Sequence, residues 1–253
     1  MIRVAAVGDV HVGVDSVGSL RPHLEHLREQ ADLFLLAGDL TKRGSPEETE
    51  VLVGEVGGLG LPTFAVLGNH DYHVDQQDRM VDRLESVGVQ VVEGRAVRLD
   101  VDGTTVGIAG TKGFGGGFLG GCATDFGEPE IKAFVSHGKR LASRLEAALL
   151  DVADADARIA LVHYSPVEAT LAGERAEVYP FLGSYLLAEA IDHAGADLVV
   201  HGHSHNGTEQ GFTPGGVVVR NVAQPVIGHA YRIYCLAGGD ELECAPALAA
   251  GGA

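Results

Sequence analysis

Histidine, aspartate and asparagine side chains occur at five points in this sequence, each time directly after a short apolar run. The apolar runs are residues 2–7, 33–37, 63–67, 159–162 and 198–200. The polar residues after them are Asp9 and His11, Asp39, Asn69 with His70 and Asp71, His163, and His203 with His205. Apolar runs of this length predict buried strands, and open α/β sheets bind ligands at the carboxyl ends of strands. We therefore expect the five motifs to meet at one edge of a sheet.

These side chains form a ligand set for divalent metal ions. Carboxylate, imidazole and amide groups without a thiolate suit Mn²⁺, Fe, Zn²⁺, Ni²⁺ or Co²⁺. The candidate ligands outnumber what one ion needs, and they are Asp9, His11, Asp39, Asn69, His163, His203 and His205. A carboxylate such as Asp39 can bridge two ions, and ions roughly 3.5–4 Å apart promote in-line displacement at phosphorus. The sequence therefore predicts a dinuclear site for chemistry on phosphoric esters.

Single members of the set also have simpler explanations. Asp9 could cap the turn after its strand, and His163 could be a core histidine that hydrogen-bonds to backbone. The pair of imidazoles in residues 202–205 has few structural uses. His201 is expected to be packed in the protein rather than to bind metal, and His73 fits a surface loop better than a substrate contact.

The length and charge of the chain restrict its class. A chain of 253 residues with 45% hydrophobic side chains suits one domain, expected over residues 1–244, with a frayed Ala- and Gly-rich tail at 245–253. The formal charge of −17 disfavours binding of long nucleic acid, which requires many Lys and Arg contacts to phosphate. A small phosphoester is therefore the expected partner, and the oligomeric state is not predicted.

The cysteines and the lengths of the apolar runs indicate in which cellular compartment the protein is expected. Cys122, Cys235 and Cys244 show no C-x-x-C spacing, so neither a disulfide framework nor a zinc ribbon is predicted, and free thiols fit a reducing compartment. No stretch approaches the roughly 18 consecutive apolar residues of a membrane span, and Asp9 interrupts what would otherwise be an apolar signal region. We expect a cytoplasmic location without membrane association.

Up to residue 92 the sequence alternates strand and helix patterns, which is typical of βαβ units. Ser45-Pro46-Glu47-Glu48 is a capping-box sequence at the start of one of these helices. Helices are expected near residues 19–30, 46–57, 75–87, 129–150 and 182–194.

Antiparallel signals follow in the second part of the chain. Residues 95–101 and 104–109, joined by Asp102-Gly103, predict a hairpin. After residue 206 we expect further hairpins, built on Val217–Val222 and Ala230–Leu236 with a turn at Gly238-Gly239.

The order of the motifs, D-x-H, G-D, G-N-H-D, a single His and G-H-x-H, resembles that of the calcineurin-like metallophosphoesterase superfamily. The resemblance covers residues 9–205 and implies an α/β fold of two packed mixed β-sheets flanked by helices. It also implies a hydrolase that uses two metal ions to cleave phosphoric esters. The compact length and the forms Gly38-Asp39-Leu40-Thr41 and Gly68-Asn69-His70-Asp71 look most like the cyclic-nucleotide phosphodiesterase branch.

The resemblance also implies a role for each residue. Asp9, His11 and His205 would hold one ion, Asn69, His163 and His203 the other, and Asp39 would bridge them, with a hydroxide shared by the two ions as the nucleophile. His70 resembles the catalytic histidine that protonates the leaving oxygen or stabilises its charge. Asp71 is expected to accept a hydrogen bond from the other nitrogen of the His70 ring and so fix its tautomer.

Candidate substrate contacts lie outside these motifs. The stretch Gly110–Gly121 contains a G-x-G-x-x-G match, but its strand belongs to a hairpin and no helix follows at once, so a dinucleotide fold is not inferred. We interpret it as a mobile loop near the site, with Lys112, Phe114 and Phe118 as contacts to phosphate or base, although an ordinary surface loop is an equal alternative. Arg175, in the segment after His163, is a further candidate.

Other activities in the same superfamily compete with a phosphodiesterase. A phosphomonoesterase or protein Ser/Thr phosphatase is the main alternative, and Arg43 lies where protein phosphatases hold a phosphate-binding Arg. Lys42 and Asp71, however, replace an Asp and a Glu of those enzymes. A DNA nuclease is opposed by the charge, and an inactive binding scaffold by the presence of every expected ligand.

Overall fold

Two six-stranded β-sheets form the centre of the molecule. The computed structural model describes the backbone of residues 1–237 and 240–242 and the side chains of residues 1–237. The predicted turn at Gly238-Gly239, the tail at 245–253 and the end of the predicted domain 1–244 lie outside the described residues.

The strands in the described part of the chain are β1 (Ile2–Val7), β2 (Leu33–Ala37), β3 (Thr63–Val66), β4 (Val89–Val91), β5 (Arg95–Val101), β6 (Thr104–Thr111), β7 (Gly117–Phe118), β8 (Gly121–Cys122), β9 (Ala157–Val162), β10 (Leu198–His201), β11 (Gln210–Phe212), β12 (Val218–Asn221), β13 (Arg232–Ala237) and β14 (Asp240–Leu242). The α-helices are α1 (Arg21–Leu24), α2 (Leu27–Gln30), α3 (Pro46–Val56), α4 (Gln77–Glu85), α5 (Pro129–Asp151), α6 (Tyr179–Leu182), α7 (Tyr185–Ala194) and α8 (Gln224–Ile227).

Both sheets combine parallel and antiparallel strands. The first sheet has the order β14-β13-β1-β2-β3-β4, in which β1 to β4 are parallel and β13 is antiparallel to β1. The second has the order β11-β12-β10-β9-β6-β5, in which β6, β9, β10 and β12 are parallel and the edge strands β5 and β11 are antiparallel to their neighbours. Strands β7 and β8 form a separate short ribbon.

The two sheets pack face to face, with helices on both outer sides. Ile159 and Leu161 of β9 belong to the core between the sheets, together with Val66 of β3. The alternate residues Ala160 and Val162 face the other way, into a second core formed with α5 and α7. This alternation follows from the two-residue period of a strand. The predicted α/β fold of two packed mixed sheets flanked by helices is confirmed.

Local signals in the sequence correctly placed several elements. Ser45 accepts a hydrogen bond from the Glu48 N–H, and the Glu48 side chain accepts one from the Ser45 N–H, so the predicted capping box opens α3. The hairpin of β5 and β6 turns at Asp102 and Gly103, which both have positive φ, at 49° and 82°. Positive φ at both central residues is the geometry that favours Asp-Gly in two-residue hairpin turns.

The hairpins expected after residue 206 are present, because β12 pairs antiparallel with β11 and β13 pairs antiparallel with β14. In addition, β12 pairs in parallel with β10, and β13 pairs with β1 of the first sheet. Two other expectations were wrong. The helix expected over 19–30 is divided into α1 and α2. Cys235 is disulfide-bonded, whereas Cys122 is free, so the cysteines no longer support a reducing compartment.

None of the helices in the described part of the chain combines the length and apolarity that crossing a membrane requires.

A buried carboxylate on α3 holds the segment that leads into α1. Glu55 accepts hydrogen bonds from the N–H groups of Gly18, Leu20 and Arg21, at 2.5, 2.8 and 2.6 Å. Burial opposes ionisation of Glu55, but these hydrogen bonds outweigh it and lower the pKa of the carboxyl group below its usual value. The N–H groups at the start of α1, which have no acceptor within their own helix, thereby donate to a side chain on another helix.

We expect Glu55→Gln to lower the free energy of unfolding by about 1–3 kcal/mol at pH 7, because an amide nitrogen would face backbone N–H groups. A lowered pKa stabilises the folded state above the pKa of the unfolded chain, so the difference between the proteins should shrink as the pH falls below 4.5. Urea unfolding at a series of pH values measures this, with the exposed Glu189→Gln as control. A difference that did not depend on pH would contradict the role of the charge.

Candidate metal centre

The loops after five strands converge at one end of the two sheets. Those after β1, β2 and β3 come from the first sheet, and those after β9 and β10 from the second. Three groups of side chains have ligand atoms within 4.8 Å of one another: Asp9 with His11 and His205, Asp39 with His163 and His203, and His11 with Asp39 and His70. The structure therefore brings the predicted carboxylate and imidazole ligands together.

The first candidate ligand set consists of Asp9, His11 and His205. The Nε2 atom of His205 lies 2.9 Å from Oδ1 of Asp9 and 3.5 Å from Nε2 of His11. Two imidazole nitrogens and a carboxylate oxygen thus point at one another, as they do around a shared cation. Asp9 itself is 2% exposed and also accepts the N–H of His203, so its orientation is fixed.

The second set consists of Asn69, His163 and His203. Nε2 of His163 lies 3.1 Å from Oδ1 of Asn69, while its Nδ1 lies 2.8 Å from the carbonyl oxygen of Ala37. Nδ1 therefore donates to that carbonyl, and the lone pair of Nε2 faces the site. Nε2 of His203 is 3.1 Å from the carbonyl oxygen of Phe181, which leaves Nδ1 for a metal ion. Hydrogen bonds of this kind orient the histidine ligands of metal sites.

Asp39 lies between the two sets. Its Oδ1 is 3.3 Å from Nε2 of His163, and its Oδ2 is 3.9 Å from Nε2 of His11. Each oxygen therefore faces a different group of ligands, which is the arrangement a bridging carboxylate needs. The donor set of nitrogen and oxygen atoms, without sulfur, fits two divalent cations of the first transition series or Zn²⁺.

The electrostatics of the candidate site favour the binding of cations. Burial raises the pKa of Asp9 to about 6, with the hydrogen bond from His205 opposing this and the nearby Asp39 carboxylate adding to it. Burial also lowers the pKa of His203 to about 3 and that of His163 well below its usual value. Neutral imidazoles are the form that binds metal, and cations at this site would favour ionised carboxylates.

Four of the ligand residues have backbone conformations that side chains rarely adopt. The φ angles are 56° at Asp9, 43° at His11, 50° at Asp39 and 72° at His203. Left-handed conformations of non-glycine residues are uncommon and cluster at functional sites, where the surrounding structure holds them. This strain turns each ligand out of its strand direction and into the shared site.

Glycines before the ligands allow the loops to approach one another. A Cβ atom at Gly68 would collide with the Asp39 carboxylate, and one at Gly202 would collide with the Asp9 carboxylate. The glycines of the G-N-H-D and G-H-x-H motifs thus leave space for a carboxylate from another loop.

The surroundings of His70 differ from the prediction. Its Nδ1 lies 2.9 Å from the carbonyl oxygen of Lys42 and donates to it, and its Nε2 lies 3.9 Å from Oδ2 of Asp39. The tautomer of His70 is therefore set by a backbone carbonyl and not by Asp71. The half-exposed ring keeps Nε2 at the edge of the site, as an acid that acts on the leaving group requires.

Asp71 holds two loops together instead. It is fully buried, and its carboxylate accepts from the N–H groups of Leu40, Thr41 and Gly68 and from the Thr41 hydroxyl, at 2.7–3.1 Å. In the metal-free protein, burial and then the nearby Asp39 carboxylate raise the pKa of Asp71 to about 7, against the effect of these hydrogen bonds. Asp71 is therefore a positioning residue for the loop that carries Asp39, and the predicted contact with His70 was wrong.

The candidate substrate contacts have different surroundings. Lys112 lies next to the ligand loops, where its carbonyl oxygen accepts the N–H of His163, and Phe114 packs beside it. Arg43 and Arg175 are exposed at the surface. Phe118 is 7% exposed, so its ring is not available to a substrate in this structure.

The Gly-rich loop is attached to the segment after His163, which differs from the mobile loop we expected. The N–H of Gly116 donates to the Pro180 carbonyl at 2.7 Å, and that of Gly117 to the Gly183 carbonyl at 2.9 Å. This part of the loop is therefore held by main-chain hydrogen bonds.

Glu174 and Lys42 also position residues of this site, and we did not predict these roles from the sequence. Glu174 accepts from the N–H of Asn206 at 2.8 Å and from the Ser204 hydroxyl at 3.4 Å, and so holds the loop of His203 and His205. Lys42 acts through its carbonyl, and no sequence pattern reports that contact. His201 is packed as expected, since its nitrogens contact the Gly202 carbonyl and the Thr170 hydroxyl.

We expect Asp71→Asn to destabilise the metal-free protein by about 1–3 kcal/mol and to weaken Mn²⁺ binding, because the amide nitrogen would face N–H donors and release the Asp39 loop. Urea unfolding and calorimetric titration with Mn²⁺ measure the two effects, with the exposed Asp82→Asn as control. A variant with unchanged stability and metal affinity but an altered pH–rate profile would instead support the contact with His70.

Comparisons with known proteins agree with this geometry. The model of the family described as calcineurin-like phosphoesterase matches residues 2–207. A symmetrical bis(5′-nucleosyl)-tetraphosphatase from Nitrosococcus oceani is 44% identical over 73 residues, which are 29% of this chain and 25% of that protein. A 3′,5′-cyclic-nucleotide phosphodiesterase from Nostoc sp. is 33% identical over 82 residues, which are 28% of this chain and 31% of that protein.

Among solved structures, a phosphopantetheinyl hydrolase from Mycobacterium tuberculosis has the same fold, with a TM-score of 0.60 at 16% identity over 87% of this chain and 88% of that one. The matched regions span only about a quarter to a third of the curated relatives' length. The family model, in contrast, covers all five loops that carry the candidate ligands and extends over most of the sequence. This chain belongs to the calcineurin-like phosphoesterase family.

Proposed function

We propose that this protein is a two-metal phosphoesterase that hydrolyses a phosphodiester bond in a small, nucleotide-like substrate, with a cyclic nucleotide as the favoured type. The observation that carries the proposal is the position of Asp39, whose two carboxylate oxygens face two separate sets of ligands, 3.3 Å from His163 and 3.9 Å from His11. Family membership and the similarity to two classes of nucleotide hydrolase support the same chemistry.

The chain's own residues divide into ligands and an acid. Asp9, His11 and His205 would hold one ion, Asn69, His163 and His203 the other, and Asp39 both. Two such ions supply Lewis acidity and a water of lowered pKa. His70 donates from Nδ1 to the Lys42 carbonyl, so the ring is fixed while Nε2 faces the site. In the doubly protonated ring Nε2 carries the proton that passes to the leaving oxygen, and the ring is left neutral with its proton on Nδ1.

The electrostatics support a small substrate over a polymer. The formal charge of −17 repels long polyanions, whereas a single phosphate group can bind to a site that two cations neutralise. The metals themselves remain a choice among Mn²⁺, Fe, Zn²⁺, Ni²⁺ and Co²⁺, since the nitrogen and oxygen donors suit all of them.

We expect Asp39→Asn and His70→Ala to affect different properties. The first should remove both activity and most of the bound metal, because it changes the ligand that faces both sets. The second should retain the metal and slow turnover by roughly 10²–10⁴-fold, the usual contribution of a general acid. Metal content after gel filtration and hydrolysis of bis(p-nitrophenyl) phosphate test this, and equal loss of metal in both variants would contradict the assigned roles.

The substrate class is tested with protein loaded separately with Mn²⁺, Zn²⁺ and Ni²⁺. The substrates are an aryl phosphodiester, an aryl phosphomonoester, 3′,5′- and 2′,3′-cyclic nucleotides, a bis(5′-nucleosyl) tetraphosphate, a phosphopeptide and single-stranded DNA. We expect the aryl diester and at least one cyclic nucleotide to be cleaved most efficiently. Cleavage of the monoester or the phosphopeptide alone would replace the proposal with a phosphatase, and failure to cleave any substrate would favour a binding scaffold.

A further inference from the structure

The ammonium group of Lys112 is enclosed by aromatic rings. The residue is 8% exposed, and Nζ lies 4.9 Å from the ring centroid of Tyr72 and 5.2 Å from those of Phe114 and Tyr164. Lysine is almost never buried to this extent unless it is paired. We call Lys112 with these three rings the lysine cage.

The lysine cage contains no acceptor for the ammonium protons. Among the described residues, no carboxylate lies within ion-pair distance of Nζ, and no hydrogen bond reaches it. Glu93, the acid whose charge acts most on Lys112, uses its oxygens for the N–H groups of Leu67 and of Lys112 itself, at 3.1 and 2.9 Å. Ring faces attract a cation but do not replace hydrogen-bond acceptors.

The cage borders the metal centre. Tyr72 follows His70 by two residues, Tyr164 follows His163 directly, and the Tyr164 ring lies 4.3 Å from the His203 ring. The negative charge of Asp39 acts on the ammonium, although the two groups are not paired. The unpartnered cation therefore lies beside the place where the substrate phosphate would bind.

A purely structural role does not explain a lysine at this position. The Nζ atom has no partner among the described residues but keeps some accessible surface, so it reaches the solvent side of the three rings. An apolar side chain of similar length, such as methionine, would fill the same space among the rings without partly desolvating a charge. Burial also lowers the pKa of Lys112, which reflects the same unfavourable environment. A charge kept under these conditions is explained by an anion that binds to it.

We propose that Lys112 is an anion-binding residue, whose ammonium donates to a phosphate oxygen of the substrate while Tyr72, Phe114 and Tyr164 hold it in place of a carboxylate. Because no acidic side chain neutralises the ammonium, its full charge is available to the phosphate. The inference rests on the proposed function, since it assumes that the ligand of the metal centre carries a phosphate group.

The test compares Lys112→Met with the wild-type protein in two measurements. Calorimetric titration of the Mn²⁺-loaded protein with inorganic phosphate should show an affinity about tenfold lower or weaker still, because a charged hydrogen bond is lost. The melting temperature of the metal-free protein should not fall, because the ammonium makes no hydrogen bond or ion pair among the described residues. The matched control Lys132→Met removes the same charge from an exposed position on α5 and should change neither value.

A phosphate affinity unchanged by Lys112→Met would overturn the proposal, and so would a lower melting temperature or failure to fold, because either marks a structural lysine. Phe114→Leu removes one ring of the cage and should weaken phosphate binding by about two- to threefold. The titration does not require turnover. If the wild-type protein cleaves no ester but Lys112→Met still weakens phosphate binding, the proposed function is contradicted and the role of Lys112 is supported. If the wild-type protein cleaves phosphodiesters but Lys112→Met binds phosphate as tightly as the wild type, the proposed function is supported and the role of Lys112 is contradicted.

Discussion

Mutual repulsion among buried carboxylates is the constraint on which this end of the molecule depends. Asp9, Asp39 and Asp71 are each at most 2% exposed, and among the described residues no Lys or Arg lies within ion-pair distance of them. Asp71 is stabilised by the N–H groups of two loops, and Asp9 by the His203 N–H. Asp39 accepts the His70 backbone N–H, and the imidazoles add charged partners only when they are protonated, so metal cations at this site would supply the missing positive charge.

The backbone of this site is strained at several residues, and contacts anchored in the two sheets hold these residues in place. Left-handed φ angles at four ligand residues are unfavourable individually, yet main-chain hydrogen bonds between the loops fix them, such as those from Asp9 to Gly38 and from His11 to Asp39. These loop contacts therefore fix the direction of each candidate ligand side chain.

Much of the fold and the ligand set could be predicted because both depend on local patterns. Short apolar runs fix the strands, and parallel strands place their following residues at one edge, so Asp39 and His163 could be expected to meet although 124 positions separate them in the numbering. The capping box at Ser45 and the turn at Asp102 are equally local. These features need no knowledge of how the sheets pack.

The features that sequence reasoning missed depend on contacts between distant loops. Asp71 follows His70 directly, but the conformation of its loop turns the carboxylate towards Leu40 and Thr41. The surroundings of Lys112 come from three separate segments of the chain. The pairing of β13 with β1 was also not predictable, because an edge strand can add to either sheet without a change in its own pattern.

The division of each ligand set between the two sheets links the metal centre to the core beneath it. Asp9 and His11 extend from the first sheet and His205 from the second, while Asp39 and Asn69 face His163 across the same boundary. A small slide of one sheet over the other would therefore change the spacing between the candidate ligands of each set. The side chains packed between the sheets, such as Val66 and Leu161, therefore set the distance between the candidate ligands, and a change of core volume would move those ligands without replacing any of them.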